Sequence, residues 1–309
     1  MRFDRLDLNL LVALDALLDC RGVSDAARRL NLSQPAVTGA LNRLRQFFED
    51  ELLVLSGRRM LLTPKAEALV RPVRRTLMMI RSEITQPGHF DPATARRRFN
   101  IAVSDYAYTI LLADLIAKAA QLAPGISFEL VPPSSQAAER LERAEIDLFI
   151  TVAPFAMAHH PQLPLWRDEE VVISWTKAGY PERIDVDAFF EAGHAVALFG
   201  PDRQPSLTDV YLSQTERERH VELLLPNFSA LPQAVVGTRR LATMHRLYAE
   251  HFAHLYPIRL HDAWQPFPEI IEIAQWHGVR EKDPGLRWLV TLLQETLNDL
   301  PAHARLDRL

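Results

Sequence analysis

Ser24–Gln46 reads SDAARRLNLSQPAVTGALNRLRQ. Ala26, Ala27 and Leu30 share one face of a short helix, and Asn31–Leu32 make a tight turn. Ser33 is placed to cap a second helix, with Pro35 tolerated in its first turn. In that second helix Val37, Leu41 and Leu44 recur at helical spacing and turn inward. Gln34, Thr38, Asn42, Arg43 and Arg45 are left facing out. Two short helices joined by a tight turn, the second one presenting amides, a hydroxyl and arginines, form a helix-turn-helix. Any small helical bundle shows such periodicity, so the outward chemistry carries the argument. Amides pair with adenine edges, arginine with guanine or phosphate, and Thr and Ala methyls with thymine.

The flanking segments fit that reading. Residues Leu6 to Asp19 form a first helix whose Leu10, Leu11, Leu14, Leu17 and Leu18 make an apolar stripe to pack beneath the pair. Downstream, LLVLSGRRMLL (Leu52–Leu62) has two apolar runs around Ser56–Gly57, a turn signal. It reads as a wing with Arg58 and Arg59 near its tip. In isolation it would be a solvated turn; beside a recognition helix, both arginines suit phosphate or the minor groove. Thr63 then caps a helix with Pro64 at its first position, running to about Thr85. Val70, Val73, Leu77, Ile80 and Ile84 follow a 3-4-3-4 spacing. That is the seam of a coiled coil with a second copy, although Pro72 predicts a kink. The competing reading is a helix lying on its own domain.

Three segments, DLNLLVALDALL (Asp7–Leu18), VSDAARRLNLSQPAVTGALNRL (Val23–Leu44) and LLTPKAEAL (Leu61–Leu69), resemble the LysR-type transcriptional regulators in content, order and spacing. Gly39 stands where that family often has a base-contacting Arg, and Leu55 where it often has Arg, so Arg58 and Arg59 would carry more of the wing contact. The resemblance implies that residues 1–63 are a winged helix-turn-helix DNA-binding domain and 64–86 a dimerising linker helix. Residues 87–97 would be a hinge, and 98–309 a periplasmic-binding-protein-like effector domain of two α/β lobes. The first lobe would comprise 98–172 and 273–309, the second 173–272. The fold class is thus α plus α/β. MRFDRLDLNLLVALDALL, FDPATARRRFNIAVSDY, LPQAVVGTRRLATMHRLYAE and the Trp276–His277 pair look like one branch of the family. That branch includes nodulation regulators answering flavonoids and regulators of aromatic catabolism answering salicylate or chlorinated phenols. The implied partners are promoter double-stranded DNA, a small aromatic inducer, further copies of the chain as a dimer or tetramer, and RNA polymerase.

Composition sets limits on the alternatives. The chain has 309 residues, 48% hydrophobic and 24% charged, with net charge −4, which is the balance of an ordinary globular protein. Residues 1–90 carry 14 Lys and Arg against 10 Asp and Glu, and the remainder 21 against 29. A mildly basic head on an acidic body suits a local nucleic-acid contact. Cys20 is the one cysteine, so no intrachain disulfide forms. It ends an apolar helix as a small boundary residue, and a redox role would lack a partner thiol. No signal peptide is visible, and the best apolar run, Tyr108–Ala123, is broken by Asp114 and Lys118. A cytoplasmic protein without membrane partners is expected.

Beyond a Pro/Gly-containing linker at Gln86–Ala95 the pattern changes to alternating strands and helices, which argues for a sheet covered on both faces. In such folds ligands sit at the carboxyl ends of strands and at helix N-termini. Ser104, Asp105 and Tyr106 end the first strand and open a helix. Thr151 ends another strand, Phe199 a third, Asn227 and Phe228 precede a helix, and Trp276 with His277 ends the last. Phe199, Phe228 and Trp276 would supply flat apolar walls. Asp105 would accept a hydrogen bond from a phenol and repel a carboxylate, favouring a phenol or hydroquinone over a benzoate. Each of these residues also has a plain reading as a cap or core residue; their joint position at strand ends supports the group.

Catalytic signatures are missing: no G-x-S-x-G, H-E-x-x-H, G-x-x-x-x-G-K-[ST] or G-x-G-x-x-G. His251 and His254 are three apart on a helix without a third ligand at suitable spacing, and His159–His160 reads as a loop pair. No cofactor, metal or enzyme activity is expected. Two classes of function remain at this level. One is an aromatic-responsive DNA-binding regulator, an activator of aromatic-catabolism genes. The other is a small-molecule-binding or hydrolytic α/β protein with an N-terminal dimerisation module.

Overall fold

The computed structural model describes residues 7–57, 59–80 and 90–306, and divides the chain into two compact units, 1–87 and 88–309. In the first unit, α1 (Asn9–Cys20), α2 (Val23–Leu30) and α3 (Gln34–Phe48) pack around one core. Leu14 and Leu17 of α1, Ala26 of α2, and Val37 and Leu44 of α3 are almost fully buried there. The α2–α3 turn is tight because Asn31 adopts a left-handed conformation (φ 54°), which asparagine tolerates better than most residues. Ser33 then caps α3, its Oγ accepting from the Ala36 N–H. Strands β1 (Leu53–Ser56) and β2 (Arg59–Leu62) pair antiparallel as the hairpin the sequence predicts, turning at Gly57 (φ +64°).

Helix α4 (Pro64–Met79) starts where expected, capped by Thr63. Pro72 lies inside it without ending it. The seam differs from expectation. Val73 and Leu77 are 5% and 6% exposed within this unit and belong to its core, while Arg74 pairs with Asp15 and Asp19 of α1. At these positions the helix lies on its own domain. Ile84 and the rest of the expected helix fall outside the described residues.

The second unit contains two lobes. The first has a five-stranded sheet of order β4-β3-β5-β13-β6. Its strands are β3 (Arg97–Ala102), β4 (Ile126–Val131), β5 (Leu148–Val152), β6 (Gln162–Asp168) and β13 (Ile270–Gln275). Strand β3 is parallel to β4 and β5, whereas β13 runs antiparallel to β5 and β6. Helices α5 (Asp105–Ala107), α6 (Ala113–Leu122), α7 (Ser135–Glu142) and α12 (Pro284–Thr296) belong to this lobe, with a π-helical stretch at Tyr108–Leu112.

The second lobe has β7 (Glu170–Trp175), β8 (Gly193–Phe199), β9 (Gln204–Pro205), β10 (His220–Leu225), β11 (Ala242–His245) and β12 (Ile258–His261). They form the orders β10-β8-β9 and β11-β7-β12, and a bridge from His194 to Leu241 connects the two groups. Helices α8 (Val186–Glu191), α9 (Leu207–Ser213), α10 (Leu231–Val235) and α11 (Arg246–Ala253) complete it. Strand β7 pairs wholly within this lobe, so the chain crosses at Glu169, earlier than the expected 172/173 division. Both sheets mix parallel and antiparallel neighbours, because the crossover strands enter each lobe against the direction of its βα units. The sequence reading misses β6, which carries Pro164. A proline fits there because β6 is an edge strand.

A charged ladder sets the base of the first lobe. Arg97 reaches Asp283 at 2.7 Å and Asp147 at 2.8 Å, and Arg280 also pairs with Asp147. Asp283 in addition caps α12 by accepting from Gly285 and Leu286 N–H. The arginine holds the buried Asp283 carboxyl below its ordinary range.

Candidate functional site

Two surfaces carry the candidate chemistry. The first is the outer face of α3 with the wing. Ser33, Gln34, Pro35, Thr38, Asn42 and Arg43 are all exposed, as is Arg59 on β2; Arg58 lies outside the described residues. The Thr38 hydroxyl donates to the Gln34 carbonyl at 2.9 Å, which fixes its rotamer while its oxygen can still accept. Arg43 lies 3.3 Å from Asp7. Arg45 departs from the outward reading. Its Nε donates to the Glu51 carbonyl and its Nη2 to the Leu53 carbonyl, so it tethers the wing to α3. Helical spacing alone does not separate a guanidinium with two carbonyl partners from one facing solvent.

The second site is a cavity of about 330 Å³ between the two lobes. Its walls include Phe149, Ile150 and Phe155 from the first lobe and Phe199, Leu207, Val210 and Phe228 from the second. Ser104, Ser134, Thr151 and Ser206 add hydroxyls, and Glu170, His245 and Glu272 lie on it as well. The hydroxyls arise from local folding rules. Ser104, Ser134 and Ser206 cap α5, α7 and α9, each accepting from a backbone N–H of its helix. Strand ends and helix starts therefore converge here.

Of the expected effector residues, Ser104, Thr151, Phe199 and Phe228 line this cavity. Asp105 does not face it as a ligand acceptor. Its carboxylate accepts from the backbone N–H of Ser229 at 2.7 Å and Phe228 at 3.3 Å, joining the first lobe to the second. Asn227 caps the same turn, accepting from Ala230 N–H. Tyr106 is completely buried behind the cavity. Its hydroxyl donates to Asp168 at 2.6 Å and accepts from Trp166 Nε1 at 2.8 Å, and its ring stacks on His245 with centroids 3.9 Å apart. Trp276 packs against the main core, and His277 turns toward His160 instead, its ring centroid 4.7 Å away.

The acidic groups on the cavity leave no signature in the sequence pattern. Glu272 on β13 and Glu170 on β7 sit at positions that sequence pattern assigns to buried strands, where a glutamate gives no sign of what it faces. Burial pushes the Glu272 carboxyl up to about 8 and lifts Glu170 well above its usual value, assisted by the charges of Asp209 and Asp168. Burial pushes His245 down to about 3. His245 Nδ1 lies 3.3 Å from Glu170 Oε1, yet it has no hydrogen bond among the described residues, nor do Glu170 Oε2 and Glu272 Oε2. The cavity thus combines apolar walls with two carboxyls whose burial favours the protonated form and an imidazole whose burial favours the neutral form.

A winged helix-turn-helix joined to a two-lobed body with an internal cavity is the build of a one-component regulator. Comparison with known proteins agrees. Residues 8–67 match the bacterial regulatory helix-turn-helix of the LysR family, and 92–298 match the LysR substrate binding domain. Nodulation protein D 1 of Rhizobium tropici is 38% identical over 297 residues, covering 96% of each chain. Nodulation protein D 1 of Sinorhizobium fredii is 39% identical over 291 residues, covering 94% of this chain and 90% of that one. A probable transcriptional regulator from Pseudomonas aeruginosa aligns with TM-score 0.63 and 28% identity, over 95% of this chain and 98% of its own. Full-length OxyR from the same organism shares the fold at TM-score 0.68 and 15% identity, over 98% and 99%. The chain belongs to the LysR family of transcriptional regulators, and it is not an enzyme. Among the described residues no helix is long and apolar enough to cross a membrane.

Proposed function

We propose that this regulator binds promoter DNA sequence-specifically through α3 and the wing, and activates transcription when a neutral aromatic compound occupies the interlobe cavity. The observation that carries the inducer reading is the pairing of Phe149, Phe155, Phe199 and Phe228 with the buried Glu170, Glu272 and His245, whose burial disfavours charge. Flat apolar walls favour a ring. Protonated carboxyls with unpartnered oxygens favour hydroxyl or carbonyl groups that hydrogen-bond without bringing a charge into a buried site. A phenol, hydroquinone or flavonoid meets both demands; a benzoate meets only the first. Asp105 no longer supplies the reason for preferring a phenol; the two glutamates do.

We place the targets among genes that process such aromatic compounds, with the chain acting as a dimer or tetramer that contacts RNA polymerase. The test is calorimetric titration of the full chain with phenols, hydroxybenzoates and flavonoids, alongside gel shift on the promoter fragment adjoining its own gene. Micromolar binding of a phenolic compound with altered footprint length is expected. Failure of all three classes to bind would end the aromatic reading, whereas failure to shift DNA would end the promoter reading.

A further inference from the structure

In the first lobe, Glu142 ends α7, and His159 and His160 lie in the loop between β5 and β6. One Glu142 carboxylate oxygen is 2.7 Å from His159 Nε2 and 3.5 Å from His160 Nε2. One ligand atom from each of the three residues falls within 4.8 Å of the others. His160 is the informative member. Its side chain is 3% exposed, yet its Nε2 has no hydrogen-bond partner among the described residues. A buried imidazole nitrogen facing a carboxylate without bonding to it is costly, and such a group calls for an explanation.

The backbone holding this group is fixed. Gln275, fully buried on β13, donates to the Met157 carbonyl at 2.7 Å and accepts from the Met157 N–H at 3.0 Å. The His277 ring packs on His160, while its Nδ1 accepts from Val279 N–H at 3.2 Å, so it buttresses rather than joins the group.

We propose that Glu142, His159 and His160 bind a divalent first-row transition-metal ion of the zinc type, with water completing the shell. In a tetrahedral site with bonds near 2.0–2.2 Å, neighbouring ligand atoms lie roughly 3.4 Å apart. The two Glu142–histidine separations straddle that value, and the exposed His159 is free to open the shorter one. Two imidazoles select zinc, cobalt or nickel over calcium or magnesium, which prefer oxygen. The ion would fasten the β5–β6 loop to α7. Both elements supply cavity wall, Phe155 from the loop and Ala138 from the helix. The reading does not depend on what occupies that cavity.

The experiment uses the full chain after chelator treatment. It is titrated with Zn²⁺ by calorimetry and with Co²⁺ by visible absorption, and its melting temperature is followed with and without Zn²⁺. One saturable equivalent, an intense tetrahedral cobalt spectrum and a Zn²⁺-dependent rise in melting temperature are expected. His159→Ala, at an exposed position that folding tolerates, should weaken binding at least about tenfold and abolish the rise; His160→Ala should do the same if it folds. His251→Ala, on the exposed face of α11, should change nothing. Wild-type affinity in His159→Ala, binding lost in His251→Ala, or no saturable binding by the wild type would each overturn the proposal.

Discussion

At the residue scale, readout and anchoring separate on the DNA-facing surface. Gln34 and Thr38 are exposed at the start of α3, while Arg59 projects from the wing. Gln34→Ala should cost about 1–3 kcal/mol on the cognate site and relax the preference at one base pair. Arg59→Ala should weaken cognate and scrambled DNA alike and reduce the salt slope by about one unit. Binding isotherms for both variants on both sequences at three salt concentrations would check this; identical behaviour of the two would contradict it. A second residue-level expectation concerns Asp105. Because its carboxylate joins the first lobe to the Phe228–Ser229 backbone, Asp105→Ala should lower stability by about 1.5–3 kcal/mol. It should also weaken inducer binding, since Phe228 is cavity wall. Denaturant titration with and without ligand measures both.

At the scale of elements, α4 shows where reading a pattern from sequence succeeds and where it stops. The heptad-like spacing of Val73 and Leu77 correctly marks an apolar stripe, but periodicity does not say what covers it. Here α1 does, through the core and the Arg74 pairs with Asp15 and Asp19. Leu77→Ala should therefore cost about 2–5 kcal/mol in the N-terminal unit itself. Thermal unfolding followed in that unit at several protein concentrations tests this; a loss that vanishes on dilution would return the residue to an intermolecular seam. The same limit applies to the cavity. Ser104, Thr151, Phe199 and Phe228 were legible because strand ends and helix caps leave local signatures. Glu170, His245 and Glu272 were not, because each sits within or at the end of a buried strand and is brought to the cavity by sheet pairing between distant segments. Tyr106 misled for the complementary reason: a residue after a strand end can turn inward as easily as outward. The metal-type cluster was hidden likewise, with Glu142 separated from His159 by a strand and a 3-10 turn.

At the scale of the whole molecule, buried titratable groups oppose one another in their effect on stability. His245 is held down to about 3, and His194 and His277 down to about 4, all mainly by burial. The unfolded chain binds protons at these sites from about 6.5 downward, so each contributes stability that is lost as pH falls. Glu272 at about 8, Asp168 at about 6, and Glu170 have raised values, again through burial. In the folded state they keep protons that the unfolded chain releases near 4–4.5, so each contributes stability that is lost as pH rises. Between roughly pH 4.5 and 6.5 the two sets act in opposite directions. Below that window the histidines dominate and stability falls with acid; above it Glu272 and Glu170 dominate and stability falls toward about pH 8. Glu272→Gln keeps the shape and hydrogen-bonding capacity but cannot ionise. It should flatten the alkaline limb, leaving the acid limb as in the wild type. Urea unfolding at half-unit steps from pH 4 to 9 measures both limbs, and an unchanged alkaline slope in Glu272→Gln would show that its carboxyl is ionised in the folded protein.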